Sequence, residues 1–293
     1  MAKTCGAQSM TGRMTRVVLK RPAEAFVSPE KIEQEWQQLG FLAPPDLARA
    51  SQEFSQLEEI LRQEGVEILY LPADGRTTLD SIYTHDPGIV TEAGAIILQM
   101  GKKERAGEPE ALEEALRSWG IPILGRLTGT ATAEGGDLLW LDEKTLAAGR
   151  SFRTNQGGIL QLQEILHPLG VEAVAYDLPY WQGPGEVLHL MSFISLLDTN
   201  LAVVYKRLLP VAFYELLLAK GFELIDIPEE EFATQGCNVL AIAPRRVVIL
   251  EGNPVTAGRL RQSGCLVYEL SGEEIAFKGS GGPTCLTRPL SRV

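Results

Sequence analysis

The stretch LRQEGVEILYLP (residues 61–72) joins the end of an amphipathic helix to a short apolar strand through a single glycine, Gly65. The same arrangement recurs four more times, as LRSWGIPILGR (116–126), LHPLGVEAVAYDLP (166–179), LLAKGFELIDIP (217–228) and LRQSGCLVYEL (260–270). Subtracting neighbouring positions shows that the five glycines lie 55, 50, 51 and 43 residues apart. Each glycine suits the left-handed backbone position after a helix, where a side chain would clash. A period of this size indicates repeated supersecondary units.

Hairpin-like strand pairs occupy the gaps between these stretches, for example DLLWLDEKTLAAG (137–149) and NVLAIAPRRVVILEG (238–252). The repeated unit is therefore predicted to be ββαβ. No long Pro/Gly/Ser linker separates the units, so we expect one closed α/β domain of pseudo-fivefold symmetry over residues 1–293, with residues 1–15 as a flexible N-terminal extension. A doubly wound α/β sheet is the alternative, but such folds do not usually carry a hairpin in every period. A ring of this kind gathers loops at its centre, where we look for chemistry.

The bulk composition favours a small-molecule partner in a reducing compartment. The formal net charge is -11 at pH 7, and no basic cluster offsets it, which argues against nucleic-acid or anionic-membrane binding. No apolar run is long enough for a signal peptide or a membrane span, so a cytoplasmic location is expected. Four cysteines without a CxxC pair are too few and too scattered for a disulfide framework or a zinc site.

Cys285 stands apart from the other cysteines because it lies in the glycine-rich segment GSGGPTCLTRPL (279–290). Small neighbours leave its sulfur approachable, and nearby backbone N–H groups can stabilise negative charge. We interpret it as a nucleophile; the alternative is an inert thiol. Cys265 lies in an apolar strand and Cys237 is interpreted as a core thiol.

A cysteine nucleophile needs a proton partner, and the chain has three histidines. His189, in GPGEVLHLMSF (183–193), follows glycines and enters an apolar strand, a position from which its ring can face a central pocket; the alternative is a core histidine with satisfied hydrogen bonds. His167 falls at a helix end, where a capping or surface role is expected. His85, in a turn-like segment, is interpreted as flanking Asp86.

Two acidic motifs complete the candidate site. ATAEGGDLLWL (131–141) places Glu134 and Asp137 around two glycines before a strand, and SIYTHDPGIV (81–90) places Asp86 in a tight turn. A cysteine with several carboxylates suits a planar guanidinium or amidinium, because carboxylates can bind its N–H groups while its carbon faces a thiolate. We see no metal-ligand cluster and expect no cofactor.

These motifs resemble those of a known superfamily. EGGD (134–137), GRSFRTN (149–155), LHLMS (188–192) and GGPTCL (281–286) occur in the order found in the guanidino-modifying enzymes, which include arginine deiminases, dimethylarginine dimethylaminohydrolases and glycine amidinotransferases. The resemblance runs from about Leu19 to Leu290. It implies the pentein fold, a five-bladed ββαβ α/β-propeller.

The resemblance also implies roles for the acidic residues and the Cys–His pair. Cys285 would attack the guanidinium carbon, and His189 would protonate the departing amine and then activate water. Glu134 would hold guanidinium nitrogens and assist His189, whereas Asp86, in a string similar to the TRDP of arginine deiminases, would bind the guanidinium from another side. Asp137 would be a supporting carboxylate.

Three further positions bear on the substrate. By resemblance, Arg153 in SFRTN binds an amino-acid carboxylate and Arg105 in KKERAGEPE supplies a second arginine; the alternative for Arg105 is an exposed residue in a charged stretch. Deiminases and amidinotransferases carry Asp two residues after the catalytic histidine, where this chain has Met191. A thioether cannot pair with an N–H cation as a carboxylate does, which favours a substituted guanidine or a substrate other than arginine.

The sequence therefore predicts a hydrolase of non-peptide C–N bonds in linear amidines, similar to dimethylarginine dimethylaminohydrolase, that works through a covalent Cys285 intermediate. Arginine deiminase or dihydrolase activity, hydrolysis of a small guanidine such as guanylurea, and amidinotransferase activity remain open. A ribosome-associated binding factor of the same fold is the non-enzymatic alternative. The glycine-rich segment 183–186 is predicted to belong to a loop that excludes water. The partner is a small guanidino compound, and a homo-oligomer is possible.

Overall fold

The computed structural model describes residues 5–293 and contains five three-stranded sheets; four are each formed by one continuous repeat, and the fifth combines strands from both ends of the described chain. The strands are β1 Met14–Leu19, β2 Glu67–Tyr70, β3 Gly88–Thr91, β4 Gly94–Ile97, β5 Ile123–Arg126, β6 Leu138–Asp142, β7 Thr145–Arg150, β8 Glu172–Asp177, β9 Ile194–Asp198, β10 Leu201–Val204, β11 Glu223–Asp226, β12 Leu240–Ala243, β13 Arg246–Leu250, β14 Leu266–Leu270 and β15 Arg288–Arg292. The α-helices are α1 Pro22–Ala25, α2 Pro29–Leu39, α3 Leu47–Gln63, α4 Glu108–Ser118, α5 Gln156–Leu166, α6 Val211–Ala219 and α7 Pro254–Gln262.

Every sheet has the same internal order. Its central strand is antiparallel to one neighbour and parallel to the other, as in β3–β4–β5, where Ile89 pairs with Ile96 in the antiparallel half and Ala95 pairs with Ile123 in the parallel half. A helix connects the two parallel strands, because a parallel pair needs a long crossover whereas an antiparallel pair needs only a tight turn. The predicted ββαβ unit and the five-bladed propeller are confirmed.

The glycine that ends each helical segment adopts a left-handed backbone. The φ angles of Gly65, Gly120, Gly170, Gly221 and Gly264 are 77°, 72°, 67°, 78° and 81°. Residues with a Cβ rarely adopt these angles, so glycine lets the chain turn directly from the helix into the third strand of the unit. The repeat seen in the sequence therefore has a direct conformational cause.

The ring closes through strands from opposite ends of the described chain. β1 pairs with β15 in antiparallel fashion and with β2 in parallel, so the fifth sheet combines the first and last strands. Residues 5–15 differ from the expected flexible extension: Cys5 is 3% exposed, the Gly6 N–H donates to the carbonyl of Leu290, and Met14 already belongs to β1. These contacts hold the segment against the C-terminal strand. The rest of the expected extension, residues 1–4, lies outside the described residues.

The strands of the ring and the helices around it differ in how much of their surface is buried. Two of the five central strands, Gly94–Ile97 and Leu201–Val204, are buried along their whole length, while the helices bury one face only. Alternating polar and apolar positions on α2 and α3 follow from this one-sided burial. Within residues 5–293, no helix is both long and apolar enough to cross a membrane.

The propeller brings together the segments that lead into the first strand of each unit. They hold Asp86 before β3, Glu134 before β6, His189 before β9, Asn238 before β12 and Cys285 before β15. Equivalent positions in a pseudo-symmetric ring lie on the same side and near its axis. Residues separated by about fifty positions in the sequence therefore become neighbours.

Candidate active site

A cavity of about 630 Å³ lies where these segments meet. Cys285 and His189 both line it, together with Gly136, Met191 and Asn238. A single cavity therefore contains the predicted nucleophile and the predicted proton carrier. Its volume falls in the range of ligand pockets for small molecules.

His189 is held by Glu134 at the back of the cavity. Glu134 Oε2 lies 2.8 Å from His189 Nε2, and the other carboxylate oxygen accepts the backbone N–H groups of Gly101 and Lys102, each at 3.0 Å. The backbone N–H of His189 donates to Ser192 Oγ at 3.0 Å, which fixes the start of the 3₁₀ turn that follows. Both oxygens of Glu134 are thus occupied, and the imidazole is fixed in orientation.

The electrostatics around His189 favour its cationic form. Burial alone would disfavour the imidazolium, but the carboxylates of Asp137, Glu134 and Asp86 outweigh it and raise the pKa of His189 to about 9. The Glu134 carboxyl is fully buried, which opposes ionisation, yet its hydrogen bond to His189 keeps its pKa below the usual value. At neutral pH His189 is therefore a protonated group that can act as an acid.

The two glycines of EGGD are needed for this packing. A Cβ on Gly136 would overlap the His189 ring, lying 2.8 Å from its Cγ, and a Cβ on Gly135 would meet the carbonyl of His85. A Cβ atom is essentially never found this close to a non-bonded heavy atom, so any side chain at Gly136 must displace the imidazole. The motif places a carboxylate and a histidine together because its glycines allow the backbone to approach the ring.

Cys285 is the most exposed of the four cysteines, being half-buried, whereas Cys5, Cys237 and Cys265 are buried. Its Sγ accepts a hydrogen bond from the Asn238 amide at 3.2 Å. Burial and the nearby carboxylate of Asp86 raise the pKa of the Cys285 thiol to about 11, although the N–H of Gly282 and the Asn238 amide oppose this. The thiol is therefore protonated at neutral pH until another positive charge approaches.

Asp86 and Arg105 form a buried ion pair behind the cavity lining. Arg105 Nη1 lies 2.6 Å from Asp86 Oδ2, the other oxygen of Asp86 accepts the Gly136 N–H at 2.9 Å, and the guanidinium of Arg105 also donates twice to Glu108. Arg105 and the neighbouring histidines keep the pKa of Asp86 well below its usual value despite its burial. Arg105 is thus a buried residue, only 5% exposed, and not an exposed residue of a charged stretch.

Arg153 and Asp137 complete the group of predicted residues. Arg153 Nη1 lies 3.5 Å from Glu134 Oε2 with its side chain largely buried, and Asp137 accepts hydrogen bonds from Ser151 Oγ at 2.6 Å and from the Leu190 N–H at 3.0 Å. Burial raises the pKa of Asp137 to about 6. Asp86, Arg105, Arg153 and Asp137 therefore surround Glu134 and His189 but do not line the cavity. Their direct contact with a substrate stays a prediction.

Asn238 is the functional candidate that the sequence reasoning missed. Besides its bond to Cys285 Sγ, its Oδ1 accepts the Thr284 N–H at 3.0 Å, so it fixes the cysteine segment from the neighbouring unit. The sequence repeat does indicate this position, because Asn238 lies just before β12, the first strand of its unit, as Asp86 lies just before β3. The preceding residue, Cys237, is fully buried, as expected for a core thiol.

The segment that contains residues 183–186 lies over the cavity. Trp181, Gln182 and Glu186 line it, and the Trp181 ring packs edge-on against Phe232 from the next unit at 5.5 Å between centroids. Trp181 is 41% exposed, so its side chain contacts both the cavity and the solvent. Among residues 5–293, no group of three or more His, Cys, Asp or Glu side chains is arranged to hold a metal ion.

Comparison with solved structures identifies the class to which this fold and site belong. A Pseudomonas aeruginosa dimethylarginine dimethylaminohydrolase complexed with citrulline superimposes with a TM-score of 0.77 at 26% identity, covering 94% of this chain and 99% of the other. An amidinotransferase from Microseira wollei has the same fold, with a TM-score of 0.80 at 17% identity over 99% of this chain and 97% of the other. The class is the pentein superfamily of guanidino-modifying enzymes.

Sequence comparison narrows the class to a family. The chain is 28% identical to the N(G),N(G)-dimethylarginine dimethylaminohydrolase of Pseudomonas aeruginosa over 84% of this chain and 90% of that protein. Residues 39–292 match the family model described as N,N dimethylarginine dimethylhydrolase, eukaryotic. The chain belongs to this family, as the motifs in its sequence indicated.

Proposed function

We propose that this protein hydrolyses the C–N bond of a substituted guanidine through a covalent intermediate on Cys285, acting as one catalytic domain. The observation that carries the proposal is the position of Cys285 and His189 on the wall of one cavity, with Glu134 2.8 Å from the His189 ring. The family membership and the citrulline complex of the Pseudomonas relative support a guanidino substrate.

The substrate cation supplies the charge that activates the nucleophile. The pKa of the Cys285 thiol is raised to about 11, so the free thiol is a poor nucleophile at neutral pH. A guanidinium bound against it introduces a positive charge into a buried site, where opposite charges interact strongly. We therefore expect Cys285 to ionise together with substrate binding, its proton passing to water or to another base.

The chemistry then proceeds in two steps. Sulfur attacks the guanidinium carbon, His189 donates its proton to the departing nitrogen, and the C–N bond breaks to leave an amidino group on Cys285. The neutral His189 next takes a proton from water, whose oxygen bonds to the same carbon. The C–S bond breaks, the remaining hydroxyl proton passes to the departing thiolate, and a neutral ureido product forms. Glu134 orients the imidazole through both steps.

Met191 bears on substrate choice. It is buried, lines the cavity and belongs to the turn that follows His189. A thioether packs well against alkyl groups but cannot replace a carboxylate as an acceptor for a cationic N–H. This supports an N-alkylated guanidine, such as a methylated arginine, more than arginine itself.

The test is to incubate the purified protein separately with arginine, monomethylarginine, asymmetric dimethylarginine and guanylurea, and to identify the released amine by mass spectrometry. Methylamine or dimethylamine with citrulline is the expected result. Ammonia from arginine alone would contradict the substrate assignment, and an amidino group found on an added acceptor amine would identify a transferase. Release of no amine from any compound would contradict the hydrolase.

In this assay, Cys265→Ser is the matched control for Cys285→Ser. Cys265 is a buried cysteine that lies just before a strand, and it does not line the cavity. It should retain the activity of the parent. Persistence of full activity in Cys285→Ser would contradict a covalent intermediate on Cys285.

A further inference from the structure

A second, much smaller cavity lies directly behind the wall of the reaction cavity. Its volume is about 10 Å³, and it shares three lining residues with the reaction cavity: His85, Met191 and Thr284. Thr287 and Arg292 line the small cavity but not the reaction cavity. The two cavities are therefore separated by a single layer of side chains next to Cys285.

Buried polar atoms without a hydrogen-bond partner are concentrated around this small cavity. In the part of the chain that the structure describes there are eight such side-chain atoms, and three of them, His85 Nε2, Thr284 Oγ1 and Arg292 Nε, belong to residues that line it. Native proteins rarely leave buried polar atoms unsatisfied, because such an atom loses its hydrogen bonds to water and gains none in return. Three residues with such atoms at one cavity indicate a ligand.

The hydrogen-bonding character of these atoms can be assigned. His85 Nδ1 lies 2.8 Å from the carbonyl oxygen of Thr287, which can only accept, so Nδ1 carries the hydrogen. Burial and the guanidinium of Arg288 lower the pKa of His85 to about 3, although Asp86 opposes this shift, and the ring is neutral. Nε2 is therefore an acceptor, Arg292 Nε is a donor, and the Thr284 hydroxyl can serve as either.

This combination matches a water molecule in size and in chemistry. A cavity needs roughly 10–15 Å³ to hold one water, which must find two to four polar partners. An anion would find the positive charges of Arg288 and Arg292 nearby, but it would also face the lone pair of His85, which repels it. A larger ligand does not fit the volume.

We propose that one ordered water occupies this cavity, bound by His85, Thr284 and Arg292, and that it supplies the water that hydrolyses the intermediate on Cys285. The second part rests on the proposed function. Thr284 immediately precedes Cys285 and lines both cavities. Water behind Thr284 is therefore held near Cys285 but outside the reaction cavity while the amine departs. Its oxygen then bonds to the amidino carbon, and one proton passes to His189. The C–S bond breaks, the remaining hydroxyl proton passes to the departing thiolate, and the free Cys285 thiol and the ureido product are left.

The binding site is tested by a crystal structure of the unmodified protein at a resolution that shows ordered water. We expect one density peak within hydrogen-bond distance of His85 Nε2 and Arg292 Nε. An empty cavity, or a peak that shows the anomalous signal of bromide after crystal growth in bromide, would overturn the proposal. This test does not depend on turnover.

The role in hydrolysis is tested with variants that remove one partner each. Thr284→Val deletes the hydroxyl, and Arg292→Lys keeps the charge but removes Nε at a residue that does not line the reaction cavity. Thr256→Val is the matched control, because Thr256 Oγ1 is also buried without a partner but lies in α7, away from both cavities. Single-turnover mass spectrometry of Cys285 measures formation and breakdown of the adduct separately.

We expect Thr284→Val and Arg292→Lys to slow breakdown of the adduct about tenfold, the effect of losing roughly one hydrogen bond, while its formation is unchanged. Thr256→Val should alter neither step. Equal effects on both steps, or unchanged breakdown, would overturn the role assigned to the water. If the parent protein forms no adduct with any guanidine, the proposed function fails and with it the role of the water, whereas the crystal structure still decides the site.

Discussion

Cys285 differs from the other cysteines of the chain in exposure and in its partners, and this allows a direct chemical test. Only Cys285 is half-buried and bonded to an amide side chain. We expect iodoacetamide to modify Cys285 first and Cys285→Ser to lower kcat by about 10⁴-fold or more, since serine is a far weaker nucleophile without a strong base.

The control for this variant is Cys237→Ser, which replaces a fully buried thiol outside the lining of the cavity. It should retain kcat while losing some stability. Peptide mapping after alkylation identifies the modified site. Modification of Cys237 or Cys265 ahead of Cys285 would contradict the accessibility on which the mechanism depends.

His189 also makes stability depend on pH. Its pKa is about 9 in the folded protein and about 6.5 in an unfolded chain, so the folded state binds the proton more tightly. Its contribution is complete below about pH 6.5 and is lost as the pH rises through 9. We expect the free energy of unfolding to fall by roughly 1–2 kcal/mol between pH 7.5 and 9, measured by urea denaturation.

His189→Asn should flatten this pH dependence, because the group that titrates in the window is gone. His167→Asn is the matched control, since His167 is exposed at a helix end and its removal should leave the slope of the parent. An identical slope in His189→Asn and the parent would contradict the assigned proton. The comparison uses the change in the free energy of unfolding with pH, so a pH-independent loss of stability caused by either substitution does not affect it.

At the scale of elements, the EGGD segment and the glycines that end the helices impose different constraints. Gly136 has no room for a Cβ because the His189 ring occupies the space, whereas Gly120 has open space around it but a left-handed φ of 72°. Gly136→Ala should lower kcat about a hundredfold by displacing His189. Gly120→Ala should cost about 1–2 kcal/mol of stability and leave kcat unchanged.

Urea denaturation and steady-state kinetics on both variants check this division. A Gly136→Ala enzyme with the kcat of the parent would mean that the imidazole is not held as the structure shows. A Gly120→Ala protein with lower kcat but unchanged stability would contradict the conformational role of the helix-ending glycine.

The two glycines also show what the sequence could predict. The spacing of Gly120 and its counterparts revealed the repeat, because left-handed turns are a local requirement visible in the chain itself. The pairing of Arg105 with Asp86 and of Asn238 with Cys285 was not predicted, because those contacts depend on how separate units meet at the centre of the ring. Motif order predicted that Cys285, His189 and Glu134 belong to one site, and the structure brings them together, but the order did not indicate which side chains would line the cavity.

At the scale of the whole molecule, β15 joins the fifth sheet to the rest of the core. Leu290 is fully buried and packs in a cluster with Val18 and with Val90 and Ile97 of the neighbouring sheet. Leu290→Ala should therefore lower the free energy of unfolding by about 2–5 kcal/mol. Circular dichroism and tryptophan fluorescence should follow one shared transition, because a closed ring is expected to unfold as one unit.

Leu160→Ala is the matched control, since Leu160 lies on the surface at 55% exposure and its truncation should change stability by no more than about 0.5 kcal/mol. Two separate transitions, or equal effects of the two substitutions, would contradict a single domain closed by β15.

The pairing of β1 with β15 also determines the order in which the molecule matures. The other four sheets are built from segments close together in the chain, but this one joins residues more than 270 positions apart, for example Met14 and Arg292. Contacts of such long range form late, since the entropy of the intervening loop must be overcome first. The segment that carries Cys285 immediately precedes β15, so we expect the proposed nucleophile to acquire its surroundings only in this final step. We therefore expect a partly folded chain to be inactive, and activity regained during refolding to report the completed ring and lag behind the recovery of helical signal.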